Sequence, residues 1–83
     1  MTRLWPEGQA IDVVQEAGVP TAFIWQGQTH SVSQIARQWR DDVNWWQERT
    51  WRTYYKVTTE SGLLVVLFQD MATHTWYLQR LYD

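Results

Sequence analysis

The sequence predicts an all-β domain, a small antiparallel barrel or rolled sheet of about five to six strands, of SH3-like or OB-like size. Its apolar pattern has mostly period two and is interrupted by turn residues, which is typical of strands. The segment 63–68 is apolar on both faces, as in a strand that is covered from two sides. With 83 residues, the chain is expected to form a single domain, 1–83.

The first half of the chain is expected to contain a lead-in, residues 1–10, followed by hairpins within residues 11–40. Two segments rich in β-branched and aromatic residues are separated by a loop that contains Gly18 and Pro20. The next turn contains Gly27, which can adopt the positive φ that a tight hairpin requires.

Residues 31–40 have two interpretations. Helical spacing predicts one short helix there, based on Val32, Ile35, Ala36 and Trp39. Alternatively, a strand with a single bulge between Val32 and Ile35 would bring four side chains to one face, those of His30, Val32, Ile35 and Trp39. The strand is favoured, because only about two helical turns fit before Asp41.

The second half is predicted to end in a three-stranded meander, residues 52–83. Its strands are expected at 52–59, 63–68 and 75–82. Because the turns between them span only a few residues, consecutive strands should pair antiparallel.

Composition excludes several classes of protein. The chain has no Cys, so it has no disulfide framework and no thiolate zinc site. No apolar run approaches the ~18 residues of a transmembrane span, and the first residues do not resemble a signal peptide. A cytoplasmic protein without membrane contact is therefore expected. The net charge of −2 argues against a general polyanion binder.

No catalytic, cofactor-binding or metal-binding site is predicted. The only histidines, His30 and His74, have no spacing typical of metal ligands, and no phosphate loop or nucleophile motif is present. The acidic pair Asp41-Asp42 is expected to begin a loop, since adjacent residues of a strand point to opposite faces. The protein is therefore predicted not to be an enzyme.

Residues 37–56 stand apart from the rest of the chain. They hold five of the seven basic residues and four of the seven Trp, and they carry a local charge of +2. Trp, Tyr and Arg dominate protein-interaction hot spots, and the same residues bind single-stranded nucleic acid by stacking and phosphate contacts. The candidate binding residues in this region are Arg40, Trp45, Trp46, Arg49, Arg52, Tyr54 and Lys56.

The structural alternative is that most of these Trp fill the core, as Trp5, Trp25 and Trp76 are expected to do. Trp45 and Trp46 are adjacent, and an extended chain cannot turn both rings inward. One of the two is therefore predicted to be exposed, and this pair is the best single candidate for an interaction.

From Trp39 onward the chain carries a series of spaced residues: Trp39-Arg40, Trp45-Trp46, Arg52, Tyr54-Tyr55, Val57, Gly62, Leu67, Asp70, Trp76-Tyr77 and Tyr82-Asp83. This series resembles the C-terminal segment of ImuB-type proteins, Y-family DNA polymerase relatives that occur in bacterial mutasome cassettes. The whole chain also resembles uncharacterised, stand-alone small bacterial proteins that share the segment. The Gly-Pro that often precedes the Trp-Arg pair is Arg37-Gln38 here.

The resemblance implies a non-catalytic adaptor that is accessory to error-prone translesion DNA synthesis, in DNA-damage tolerance. Its implied partner is an error-prone polymerase or a RecA-like accessory protein, and it implies no catalytic residue. Two alternatives stay open: a single-stranded nucleic-acid-binding module that uses the Trp- and Arg-rich region, and a structural or oligomerising domain.

Overall fold

The computed structural model describes the backbone of residues 2–45 and 48–82, and the side chains of residues 2–42 and 50–82. Its strands are β1 Thr2–Ala10, β2 Asp12–Glu16, β3 Val19–Trp25, β4 Gln28–Trp45, β5 Glu48–Thr59, β6 Leu64–Asp70 and β7 Thr75–Tyr82. The all-β prediction is confirmed, but the sheet has seven strands rather than five to six. The described residues contain no helix, and hence none that could cross a membrane.

The seven strands form one antiparallel sheet in the order β1-β7-β6-β5-β4-β3-β2. The two edge strands, β1 and β2, are consecutive in the chain and are separated only by Ile11. The sheet must therefore curl until its edges approach each other, which produces a half-barrel. At Ile11 the chain passes from one edge strand to the other. The N–H of Ile11 donates a hydrogen bond of 3.2 Å to the carbonyl of Trp76 in β7.

The predicted lead-in is itself a strand. Residues 2–10 form β1, whose first residues pair with the end of β7, Thr2 with Tyr82 and Leu4 with Arg80. A register shift follows between Leu4 and Gln9, around Pro6 and Gly8. The local sequence is atypical of a strand because of these two residues, so the pairing depends on partners at the far end of the chain.

Residues 31–40 belong to β4, so the helical alternative is wrong. The strand contains two bulges rather than one, between Val32 and Gln34 and between Ile35 and Arg37. The first bulge keeps Val32 and Ile35 on one face. The second one reverses the alternation, and Trp39 points to the opposite face, where it packs against a different cluster.

The hairpin of β4 and β5 is longer than the strands beside it. Its pairing continues from Val32↔Thr59 to Trp45↔Glu48, whereas β6 reaches only Arg52, which pairs with Asp70. Residues 43–45 and 48–50 therefore pair with each other alone, and we call this ribbon the arm. Asp41-Asp42 lies within β4 at the base of the arm, so the loop predicted there is wrong.

Two tight turns shape the hairpins of β2, β3 and β4. Ala17-Gly18 and Gln26-Gly27 are two-residue loops in which all four residues have positive φ, between 51° and 80°. This is the geometry of type I′ turns, whose twist matches that of the strands. The positive φ predicted for Gly27 is confirmed.

The main core lies on the inner, concave face of the curl. Its buried residues come from β3, β5, β6 and β7: Phe23, Tyr55, Val57, Val65, Leu67, Trp76, Leu78 and Leu81. Trp5 of β1 and Trp25 of β3, from opposite sides of the curl, pack against it and contact each other edge to face at 5.2 Å. As predicted, these two Trp and Trp76 are packing residues.

Candidate interaction face

A row of four aromatic rings crosses the outer face of the sheet. Trp39, Tyr54, Phe68 and Tyr77 stand directly opposite one another on β4, β5, β6 and β7. Successive ring centroids are 5.2, 5.3 and 4.9 Å apart, and the planes of Trp39 and Tyr54 differ by only 2°. Such cross-strand pairs stabilise a sheet in addition to the apolar area that they bury.

The two central rings of this row are almost inaccessible. Tyr54 is 5% exposed and Phe68 is 1% exposed, although both lie on the outer face. Gly8 covers Phe68 from β1, because a Cβ atom at Gly8 would stand 2.8 Å from the Phe68 ring and 2.7 Å from Cβ of Tyr77. The shift in register of β1 therefore brings backbone onto the rings, and only a glycine fits there.

Four basic side chains approach aromatic rings of the outer face, either in this row or at the neighbouring Tyr82. The guanidinium of Arg37 is 5.0 Å from the Trp39 ring, and that of Arg52 is 4.5 Å from the Phe68 ring. Lys56 and Arg80 both approach the ring of Tyr82, at 5.3 and 5.7 Å. Each distance is within the range of a cation–π interaction.

Hydrogen bonds hold two of these cations in place. Arg52 donates to the hydroxyl of Tyr54 at 3.3 Å, and Arg80 donates to the hydroxyl of Tyr82 at 3.1 Å. We call the whole surface the cation–aromatic face, and define it by Arg37, Trp39, Arg52, Tyr54, Lys56, Phe68, Tyr77, Arg80 and Tyr82.

The charges of this face are arranged in rows. Arg37, Lys56 and Arg80 occupy one cross-strand row, in which the remaining paired positions are Val66 and Leu4. Every residue of this row is described, and none is acidic. From β4 to β7 the row crosses three strand spacings, or about 14 Å. We call these three residues the cationic row.

Carboxylates occur on the other side of the rings. Asp41 and Asp70 flank Arg52 in the row beyond Trp39 and Tyr54. Asp70 is engaged locally, since its Oδ1 accepts a hydrogen bond of 2.9 Å from the N–H of Ala72. The two sides of the ring row therefore differ in charge: one is purely cationic, and the other is mixed.

The predicted site residues divide into three groups. Arg52, Tyr54 and Lys56 lie together on the cation–aromatic face. Arg40 pairs with Thr53 and is on the opposite face of β4, so it does not join them. Trp46 lies outside the described residues. The backbone of Trp45 and Arg49 belongs to the arm, but their side chains also lie outside the described part of the chain.

Sequence reasoning missed the residues that the face takes from other segments, namely Phe68, Tyr77, Arg80 and Tyr82. Alternation within one strand was a usable signal: Arg52, Tyr54 and Lys56 are spaced by two residues and share a face, as do Arg80 and Tyr82. Such a pattern does not show which strands are neighbours in the sheet or in what register they pair.

Behind the face, Tyr55 is a buried titratable group. Its hydroxyl donates a hydrogen bond of 3.2 Å to the carbonyl of Gly18, which ties β5 to the turn between β2 and β3. Burial raises the pKa of the Tyr55 hydroxyl, and the positive charge of Arg40 opposes this shift. Tyr55 is not part of the cation–aromatic face, because it lies on the inner face among the residues of the main core.

Among residues 2–42 and 50–82, whose side chains the structure describes, no group of three or more His, Asp or Glu could hold a metal ion. Comparison with known proteins gives one finding: a family model described as a domain of unknown function, DUF6504, matches residues 8–83. No curated protein and no solved structure matches the chain significantly.

Proposed function

We propose, given that this chain belongs to the DUF6504 family, that it is a non-catalytic protein-interaction module that binds an acidic segment of a partner protein. The observation that carries the proposal is the cationic row of Arg37, Lys56 and Arg80, which contains no carboxylate. Interfaces use such complementary charge to steer encounter and to fix the register of the partner.

The adjacent rings favour a protein partner over a nucleic acid. Base stacking requires open ring faces, but Tyr54 and Phe68 are turned toward their neighbours in the row and are buried. Such rings provide a rigid apolar base beside the charges. Trp39 and Tyr77, at the ends of the row, are only half-buried and supply contact area.

The resemblance to the C-terminal segment of ImuB-type proteins supports a more specific proposal. In this proposal, the module is accessory to error-prone translesion DNA synthesis in the cytoplasm, and its partner is an error-prone polymerase or a RecA-like accessory protein. In this proposal the arm extends the contact, because its backbone continues beyond the end of β6 and the candidate residues Trp45 and Trp46 fall at this point of the sequence.

The test is capture of those two candidate partners by charge-reversed variants. We expect Arg37→Glu with Lys56→Glu to weaken capture at least tenfold, since two of the three charges of the cationic row are inverted. Arg40→Glu is the matched control: it reverses an exposed charge on the other face of β4 and should leave capture unchanged. Unchanged capture by the folded double variant, or equal losses in both variants, would contradict the proposal.

Trp45→Ala with Trp46→Ala tests the contribution of the arm separately. If the arm contacts the partner, this variant should weaken capture while the cationic row is intact. Retained capture would limit the interface to the cation–aromatic face.

A second candidate function is binding of single-stranded nucleic acid. The observation in its favour is again the cationic row, with the half-buried ring of Trp39 beside Arg37 at its end. Fluorescence anisotropy with short oligonucleotides tests it, first at low salt and then in a salt titration. Phosphate contacts would make affinity fall steeply with salt, and absence of binding at low salt would reject this function.

A further inference from the structure

A second site lies on the inner face, at one end of the half-barrel. A cavity of ≈ 390 Å³ opens there between the two sides of the curl. Arg3 and Leu81 line it from the paired strands β1 and β7, and Trp25 and His30 line it from β3 and β4. The cavity is therefore a consequence of the curl itself, and it is separate from the cation–aromatic face.

The floor of this cavity is apolar. Leu81 is buried, and Leu63 and the ring of Trp25 are half-buried. Trp25 is fixed from behind by its edge-to-face contact with Trp5. The cavity volume is near the lower end of the range for ligand pockets. Together with an apolar floor, this size suits a small molecule with an apolar body.

The rim carries polar groups held by the fold. His30 is stacked on Phe23, with ring centroids 5.3 Å apart, and its Nδ1 is 3.2 Å from Oγ of Ser61. Ser61 is held in turn by the hydroxyl of Thr59, at 2.8 Å. The amides of Gln26 and Gln28 complete the rim.

The charge of the lining is one-sided. Among the described residues that line the cavity, Arg3 is the single Arg or Lys, and none is Asp or Glu. A guanidinium presents paired N–H donors that match a carboxylate. A ligand pocket is mostly apolar, and a few polar groups fix the orientation of the ligand. The charge of Arg3 therefore favours a ligand with an anionic end, and the apolar floor favours a ligand with an apolar body.

We propose that this cavity binds a small carboxylic acid with an apolar or aromatic body, whose carboxylate meets Arg3 and whose body lies on Trp25, Leu63 and Leu81. The proposal does not depend on the function of the cation–aromatic face. It predicts that ligand binding here and partner binding there can be lost independently.

The test is an NMR titration of the ¹⁵N-labelled chain with phenylacetate, with neutral phenylacetamide as the matched ligand. We expect phenylacetate to shift the indole N–H of Trp25 and the amides of residues 26–30, with a dissociation constant of about 1 mM or below. Phenylacetamide should bind at least tenfold more weakly, because it lacks the charge that Arg3 recognises.

Two variants separate the role of Arg3 from a general effect of charge. Arg3→Gln should weaken phenylacetate binding about ten- to hundredfold, and Arg40→Gln, which removes the same charge elsewhere on the inner face, should leave it within twofold. The proposal is overturned if phenylacetate causes no shifts up to about 10 mM. It is also overturned if phenylacetamide binds equally well, or if the shifted resonances lie on the cation–aromatic face.

Discussion

On the inner face of the curled sheet, Val57, Leu67 and Leu78 belong to a core that takes residues from both sides of the curl. On the outer face, Tyr54 and Phe68 belong to a smaller cluster, built mainly of aromatic rings from neighbouring strands. Both sets are nevertheless almost fully buried. The outer rings are covered by one another, by long cationic side chains and by the backbone of Gly8. A single curled sheet can therefore have a cluster of buried hydrophobic side chains on each face.

The largest expected effect tests whether the outer cluster is a true core. Phe68→Ala should lower the free energy of unfolding by about 3–5 kcal/mol, as much as Phe23→Ala on the inner face, because both rings are fully buried. Urea denaturation measures both losses. Ile24→Ala is the control on the exposed outer side of β3, where Ile24 is 41% exposed, and should cost less than about 1.5 kcal/mol. If Phe68→Ala lowered the free energy of unfolding by no more than Ile24→Ala does, the outer cluster would not be a stabilising core.

A smaller effect is expected where backbone covers the rings. Gly8→Ala should destabilise the protein by about 2–5 kcal/mol, since positive φ and contacts below 3 Å with Phe68 and Tyr77 act together. Gly27→Ala has the same kind of φ but nothing within 4 Å, so it should cost only about 1–2 kcal/mol. Thermal or urea unfolding of the two variants gives the comparison. Equal losses would show that Gly8 is needed for its φ and not for the close approach.

The smallest effect concerns the inner face and depends on pH. Tyr55→Phe should cost about 0.5–1.5 kcal/mol at neutral pH, through loss of the hydrogen bond to Gly18. Because burial raises the pKa of Tyr55, its neutral form stabilises the fold fully below about pH 10 and loses that contribution as pH rises through the folded pKa. The difference in unfolding free energy between wild type and Tyr55→Phe should therefore narrow above pH 10. A constant difference across this range would contradict the assigned shift.

The same two faces show how far the sequence alone predicts this molecule. Period-two alternation was sufficient for the all-β class, and the same spacing in Arg52, Tyr54 and Lys56 is consistent with the face that these three candidates share. It failed at Trp39, because a second bulge in β4 reverses the alternation and nothing in residues 35–37 distinguishes a bulge from a regular strand.

The candidate site was predicted only where it lies within one strand. Phe68, Tyr77 and Arg80 join it through the register of β5, β6 and β7, which depends on long-range pairing. Gly8 was missed for a similar reason, since its importance comes from Phe68, a residue sixty positions further along the chain. The cavity on the inner face could not be predicted from the sequence, because it forms only where the curl brings β1 and β7 opposite β3 and β4.

The pairing of β1 with β7 has a consequence for synthesis of the chain. From β2 to β7, strands that are consecutive in the sequence are neighbours in the sheet, so they can pair in the order in which the ribosome produces them. β1 is made first but pairs last, because its partner Thr75–Tyr82 follows residues 11–74. At typical translation rates it waits roughly 3–15 s with its edge unpaired. Until then Phe68 lacks its cover from Gly8, so a nascent chain that stalls before β7 would expose both of its aromatic clusters to chaperones.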